Sequence, residues 1–171
     1  RAGRITAARV VRLTTPEHTI RFVNTNSTIV AFMKDVRGKE LALIVPPTRV
    51  VSLVPSITET LFDLGAGSSV VGVTDWCIFP ANIDAARVGG TKSPRVEEIR
   101  ALHPDLVHMN LEENLERHAR AIEEFAPLFV TEPKSPGDVV ELIRQLGIIH
   151  AVVAAATAAA DELERELARA V

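Results

Sequence analysis

From Arg49 onward, apolar residues fall in short continuous blocks separated by stretches with helical spacing; before that point they alternate loosely with polar ones. Val50–Val54, Val70–Val73, Leu106–Met109 and Leu128–Val130 are short runs in which Ser52 and His108 are the polar positions, the mark of strands covered on both faces. Helices are predicted between them: Ile57–Leu64, ended by Gly65; Val96–Leu102, stopped by Pro104; Glu112–Phe125, with Leu115, Ala119, Ile122 and Phe125 on one face; and Gly137–Leu146, with Pro136 in its first turn. Upstream, Thr19–Met33 holds two β-rich runs around Asn24–Ser27, a predicted hairpin, followed by a polar turn at Lys34–Glu40 and a strand at Leu41–Val45. No element is assigned to residues 1–15.

Pro46-Pro47 marks a seam. The expected organisation is an N-terminal extension and β hairpin over 1–47, an α/β lobe over 48–149, and a helix beginning at 150. The fold class is therefore a Rossmann-like α/β lobe: a mostly parallel sheet flanked by helices, with a short β element before it and a long helix after it. That last helix, Ala151–Val171, would extend about 30 Å. Leu163 and Leu167 form its apolar stripe, and Asp161 and Arg165 are spaced for an ion pair. Its length suits a strut that reaches another body.

The chain has 171 residues, 47% of them hydrophobic and 24% charged, which suits one ordinary domain. A net charge of −3 without a basic cluster argues against nucleic acid as a partner. The sequence holds no apolar run of the roughly eighteen residues that a membrane span needs. The opening stretch RAGRITAARVV has neither the apolar core nor the cleavage site of a secretory signal, and no initiating Met. The chain thus reads as a fragment or a processed form, and a cytoplasmic location stays open.

In open α/β sheets ligands sit at the carboxyl ends of the strands. Ser56, Thr58, Asp75 and Trp76 fall there, a set that suggests binding rather than catalysis. Trp76, the single Trp, suits stacking on a flat, partly polar ligand, or else packing on its own lobe. Ser56 with Glu59 has the spacing of a capping box, and its flanks lack the G-x-S-x-G elbow of a nucleophile. Cys77 has no spacing that ties it to His103 or His108, so neither a thiol nucleophile nor a zinc site is indicated. VGGTKS has Thr91 where a phosphate loop needs Gly. Glu112-Glu113 and Glu97-Glu98 are in the first place helix-start carboxylates favoured by the macrodipole.

Three stretches carry a family likeness: DVRGKELALIVPPTRVVSLVPSITETLFDLGAGSSVVGVTDWCIFP, VGGTKSPRVEEIRALHPDLVHMNLEEN and PLFVTEPKSPGDVVELIRQLG. Over about Asp35–Val171 the chain resembles a class III substrate-binding protein of an ABC importer, the helical-backbone metal-receptor group, and among these the cobalamin binders. The resemblance implies a receptor of two α/β lobes joined by a long helix, with ligand held between the lobes. This chain corresponds to the first lobe and the start of that helix. Pro55 and Ser56 would form the cleft floor, Trp76 the aromatic wall, Gly90, Thr91 and Lys92 the next loop, and Asn110, Glu112 and Glu113 the loop after. Glu97 matches the carboxylate that pairs with the membrane permease.

The resemblance further implies a corrinoid ligand that brings its own chelated metal. No protein metal site, no other cofactor and no catalysis are expected, and the location would be periplasmic or at the cell surface. The alternatives are a ferric siderophore or haem on the same scaffold, or a small α/β enzyme using Cys77 or Ser56. Pairing of two chains to rebuild the cleft is a further expectation, because the stripe of the C-terminal helix has no partner in the sequence.

Overall fold

Every residue of β5 (Val50–Ser52), β10 (Leu106–Asn110) and β11 (Leu128–Thr131) is buried, as strands covered on both faces must be. A computed structural model of the chain describes residues 9–14, 19–25 and 28–170. With β6 (Val70–Val73) and the short β7 (Ala86–Arg87), these strands form a five-stranded parallel sheet in the order β11-β10-β5-β6-β7. The chain adds strands to one side of β5 and then crosses to add β10 and β11 on the other. A topological switch point therefore lies between the carboxyl ends of β5 and β10. A small antiparallel pair, β8 (Gly89–Gly90) and β9 (Ser93–Pro94), closes the loop beyond β7.

Two clusters cover the faces of this sheet. Val50, Val54, Ile57, Leu61, Val70, Val73 and Leu146 fill one side, under α1 (Pro55–Asp63) and α4 (Pro136–Ile149). Val51, Leu53, Ile99, Val107, Ile122 and Leu128 fill the other, under α2 (Val96–Ala101) and α3 (Glu116–Glu123). The strand blocks and the helical spacing of the sequence thus produce the α/β lobe expected of them.

The N-terminal part is a four-stranded antiparallel meander: β1 (Arg9–Thr14), β2 (Thr19–Thr25), β3 (Thr28–Lys34) and β4 (Glu40–Val45). The sequence reading assigned no strand before Thr19, yet Arg9–Thr14 pairs along its whole length with β2. Strand β4 alternates strictly between exposed and buried positions, as a half-buried strand does. The inward row of Ile20, Ala31, Met33, Leu41, Leu43 and Val45 shares one core with Leu106, Phe129 and Ile149 of the lobe. Arg37 and Lys39, in the turn between β3 and β4, pair with Glu123 of α3 at 2.7 and 2.8 Å.

Three local expectations are corrected. Helix α1 begins at Pro55 with Val54 as its N-cap, so Ser56 lies inside the first turn and forms no capping box with Glu59. Pro55 fixes the φ of a first helical residue and sets that start. The same helix ends at Gly65 (φ +84°), whose N–H and that of Ala66 donate to Phe62 and Leu61 in a Schellman pattern. Helix α3 starts at Glu116 instead of Glu112, because Asn110 and Asn114 fold residues 110–114 into a turn with their own side chains. Helix α4 runs past Leu146 through Gly147. A Cβ there would lie 2.2 Å from the Ala156 Cβ, so the glycine lets the next helix close in.

That helix, α5 (Val153–Arg169), follows a break at Ala151 (φ +56°) and lies against α4. Ala156 and Ala160 are buried in the contact, and Asp161 pairs with Arg144 instead of Arg165, which turns to Glu162. The sequence reading gave this helix no partner; its first half has one in α4.

Candidate functional site

The carboxyl ends of β5, β6, β7 and β10 bring four loops to one edge of the sheet. Strand β5 leads through Leu53-Val54 straight into α1, so Pro55 is half-buried and Ser56 exposed at the switch point. Thr58, one turn on, points the other way. It is fully buried, and its hydroxyl donates to Ser52 Oγ (2.8 Å) and the Val54 carbonyl (3.0 Å). Cys77 Sγ completes this buried knot, 3.2 Å from Thr58 Oγ1 and 3.1 Å from Thr74 Oγ1. The thiol sits under the edge among hydroxyls, with no imidazole of the described residues bonded to it.

The loop after β6 presents apolar side chains to solvent. Trp76, Ile78 and Phe79 are 67%, 65% and 59% exposed, an unusual concentration of large apolar surface on one short segment. The backbone beneath them is firmly held. The N–H of Asp75 donates to Gly89 O (2.9 Å), and the Arg87 guanidinium donates to the carbonyls of Thr74 (2.9 Å) and Cys77 (2.8 Å). The Trp76 indole nitrogen lies 3.5 Å from where a Cβ on Gly90 would stand, so the ring lies against this glycine at ordinary contact distance. Gly89 has φ +93°, and a Cβ on it would meet the Ser93 carbonyl at 2.7 Å.

The next two loops are locked to each other. Asn114 accepts from the Asn110 N–H (2.9 Å) and donates to the Thr91 carbonyl (2.7 Å). Asn110 in turn accepts from the Glu112 N–H (2.8 Å). Asn110 and Asn114 are both buried, so they shape the edge, while Thr91 is half-buried and Lys92 and Glu112 are exposed. Burial, and next the neighbouring Glu112 carboxylate, push the Glu113 carboxyl above its ordinary range. Among the residues picked from sequence, the structure brings Trp76 to Gly90 and ties Thr91 to the Asn110 turn. Asn114 was not singled out; its place four residues after Asn110, closing NLEEN, was the available signal.

Glu97 stands apart, in the first turn of α2, with its side chain 83% exposed and 3.4 Å from Arg100. Among the described residues no group of three or more His, Cys, Asp or Glu is placed to hold a metal ion, and no helix is long and apolar enough to cross a membrane.

A parallel α/β lobe with hydrogen-bonded loops and an exposed aromatic at its carboxyl edge has the geometry at which α/β sheets hold ligands. The family model described as periplasmic binding protein matches residues 50–171, and the chain belongs to that family. Among curated proteins it is 30% identical over 118 residues to an uncharacterized ABC transporter substrate-binding lipoprotein of Bacillus subtilis, covering 66% of this chain and 37% of that protein. It is 29% identical over 125 residues to a vitamin B12-binding protein of Pectobacterium carotovorum, covering 72% and 45%. The chain thus spans less than half the length of these relatives.

Solved structures agree on the fold. The periplasmic vitamin B12 binding protein of Vibrio cholerae superposes with a TM-score of 0.67 at 24% identity, over 72% of this chain and 49% of that one. A periplasmic heme-binding protein from Roseiflexus gives 0.63 at 28%, over 71% and 48%. A siderophore binding protein, solved with two molecules of acinetobactin and ferric iron, gives 0.72 at 20%, over 82% and 52%. The neighbours are class III binding proteins, so the fold class and family expected from the sequence hold.

Proposed function

We propose that this chain is the first lobe of an ABC-importer receptor that captures a flat metal chelate, a cobalamin-like corrinoid, between itself and a second lobe. The carrying observation is Trp76: an indole 67% exposed, seated over Gly90 and backed by Ile78 and Phe79, at the edge where α/β sheets hold ligands. Pro55 and Ser56 form the floor, Gly90, Thr91 and Lys92 one wall, and the Asn110 turn with Glu112 and Glu113 the other. Charge favours the corrinoid over haem and ferric siderophores. The segments 53–56, 74–79, 86–92 and 110–114 carry three carboxylates (Asp75, Glu112, Glu113) and two cations, Arg87 and Lys92. Arg87 is engaged with backbone carbonyls. Haem propionates or an anionic ferric siderophore would meet net repulsion here, whereas the carboxamide rim of a corrinoid suits exposed carboxylates and backbone groups.

No chemistry is assigned to the site: Cys77 is buried among hydroxyls, and the ligand brings its metal with it. Glu97 is the contact to the permease, and the receptor works outside the cytoplasmic membrane. Equilibrium dialysis against cyanocobalamin, haem and a ferric catecholate tests the ligand. Retention of the corrinoid above the other two supports the reading. Preference for either of the others keeps the receptor and replaces the ligand.

A further inference from the structure

The outward face of the N-terminal sheet carries two features that the cleft does not use. On it, Arg12 of β1 stands directly opposite Arg21 of β2, and Arg21 is opposite Phe32 of β3, its guanidinium 4.2 Å from the Phe32 ring centroid. Like charges facing each other across an antiparallel pair destabilise it, and among the described residues neither arginine has a carboxylate partner. Lys34 lies on the same face. These three cations, with Thr19 and Phe32, line an open cavity of about 430 Å³ in which Glu40 is the one acidic group among the described residues.

Beside the cavity runs an apolar row. Val23, Val30 and Ile44 are cross-strand neighbours on that face, and Ile44 is 52% exposed. Cations that receive phosphate, adjoining aliphatic side chains that reach the acyl boundary, are the two elements of a surface that lies on an anionic bilayer. We infer that the outer face of β1–β4 is a membrane-docking surface for anionic phospholipids, with the headgroup phosphate between Arg12 and Arg21 and the Val23–Val30–Ile44 row against the lipid. An acidic protein partner would match the arginines but leave the aliphatic row without a role. The inference stands apart from the cleft reading, and its failure would leave that reading untouched.

Co-sedimentation of the full chain with vesicles tests it, comparing phosphatidylcholine alone with an equal mixture of phosphatidylcholine and phosphatidylglycerol. The expected result is binding to the mixed vesicles only, weakening as salt is raised. Arg12→Gln with Arg21→Gln should lower it about thirtyfold, roughly fivefold per charge. Ile44→Ser, an exposed position away from the charges, should lower it with the salt dependence retained. Equal binding to both vesicle types, no binding at low salt, or an unaffected double variant would overturn the proposal. So would displacement by inorganic phosphate at matched ionic strength, which would mark a site for the free anion.

Discussion

The side-chain amide of Asn114 donates to the Thr91 carbonyl at 2.7 Å while its oxygen accepts from the Asn110 backbone at 2.9 Å. One buried residue thus fastens two of the loops that form the proposed cleft. Replacing it leaves two backbone groups without their partner, and a buried group so orphaned costs about 1–3 kcal/mol. Asn114→Ala is therefore expected to lower the urea midpoint and to raise amide exchange in residues 89–92 and 110–114 ahead of the rest of the lobe. Asn114→Asp keeps the acceptor for Asn110 and loses the donor for Thr91, so loosening should be confined to the 89–92 loop.

His108 of β10 and His150, the residue that ends α4, meet in the interior with their Nε2 atoms 3.0 Å apart. One ring must donate and the other accept. His108 Nδ1 has no partner, and an orphan acceptor is tolerated better than an orphan N–H. That assigns the shared proton to His108 Nε2. Burial pushes His150 down to about 4, and burial, with His150 second, holds His108 well below the ordinary imidazole range. Between these values and about 6.5 the unfolded chain binds more protons than the folded one, so stability rises with pH in that window. It should be full above about 6.5 and decline toward pH 4, by roughly 3 kcal/mol from His150 alone. Denaturation midpoints at several pH values check this, and His150→Phe with His108→Phe should flatten the dependence.

Gly147→Ala should destabilise the protein although it improves helix propensity by about 1 kcal/mol. The added methyl would lie 2.2 Å from the Ala156 Cβ, and overpacking of this kind costs about 1–3 kcal/mol. Thermal denaturation is expected to show a lower midpoint. Adding Ala156→Gly should recover part of the loss, a coupling that distant sites would not give.

Glu97→Ala, in a receptor with both lobes, should leave ligand affinity unchanged and weaken stimulation of the importer. The carboxylate is 83% exposed and its ion pair with Arg100 is a surface contact, typically worth under about 1 kcal/mol, so folding should not change. Unchanged stimulation would remove Glu97 from the docking surface.

The fold was legible where a single physical signal dominated. Leu128–Val130 is apolar at every position and Val50–Val54 at every one but Ser52, and only a strand covered on both sides uses such a run economically. Where side chains compete with backbone geometry the pattern misled: Asn110 and Asn114 hold a turn across residues that have helical spacing. The helix expected to end at Leu146 continues through Gly147, whose missing Cβ serves a packed helix pair, and only the position of Ala156 reveals this. The carboxyl edge of the sheet was legible at Trp76, which follows β6 and stands exposed there. Thr58 and Cys77 share that edge in sequence but turn beneath it, and no one-dimensional pattern separates the two directions at a strand-to-helix turn. Arg9–Thr14 went unassigned because its pairing lies with β2, outside its own residues.

Fluorescence of Trp76, the single tryptophan, measures the central claim most directly, since the indole lies on the proposed cleft and no second emitter obscures it. Titration with cyanocobalamin, corrected with free tryptophan amide for the ligand's own absorption, should give saturable quenching that haem matches only weakly. Quenching that rises linearly, as it does for the free amide, would contradict the assignment of this edge as the ligand cleft.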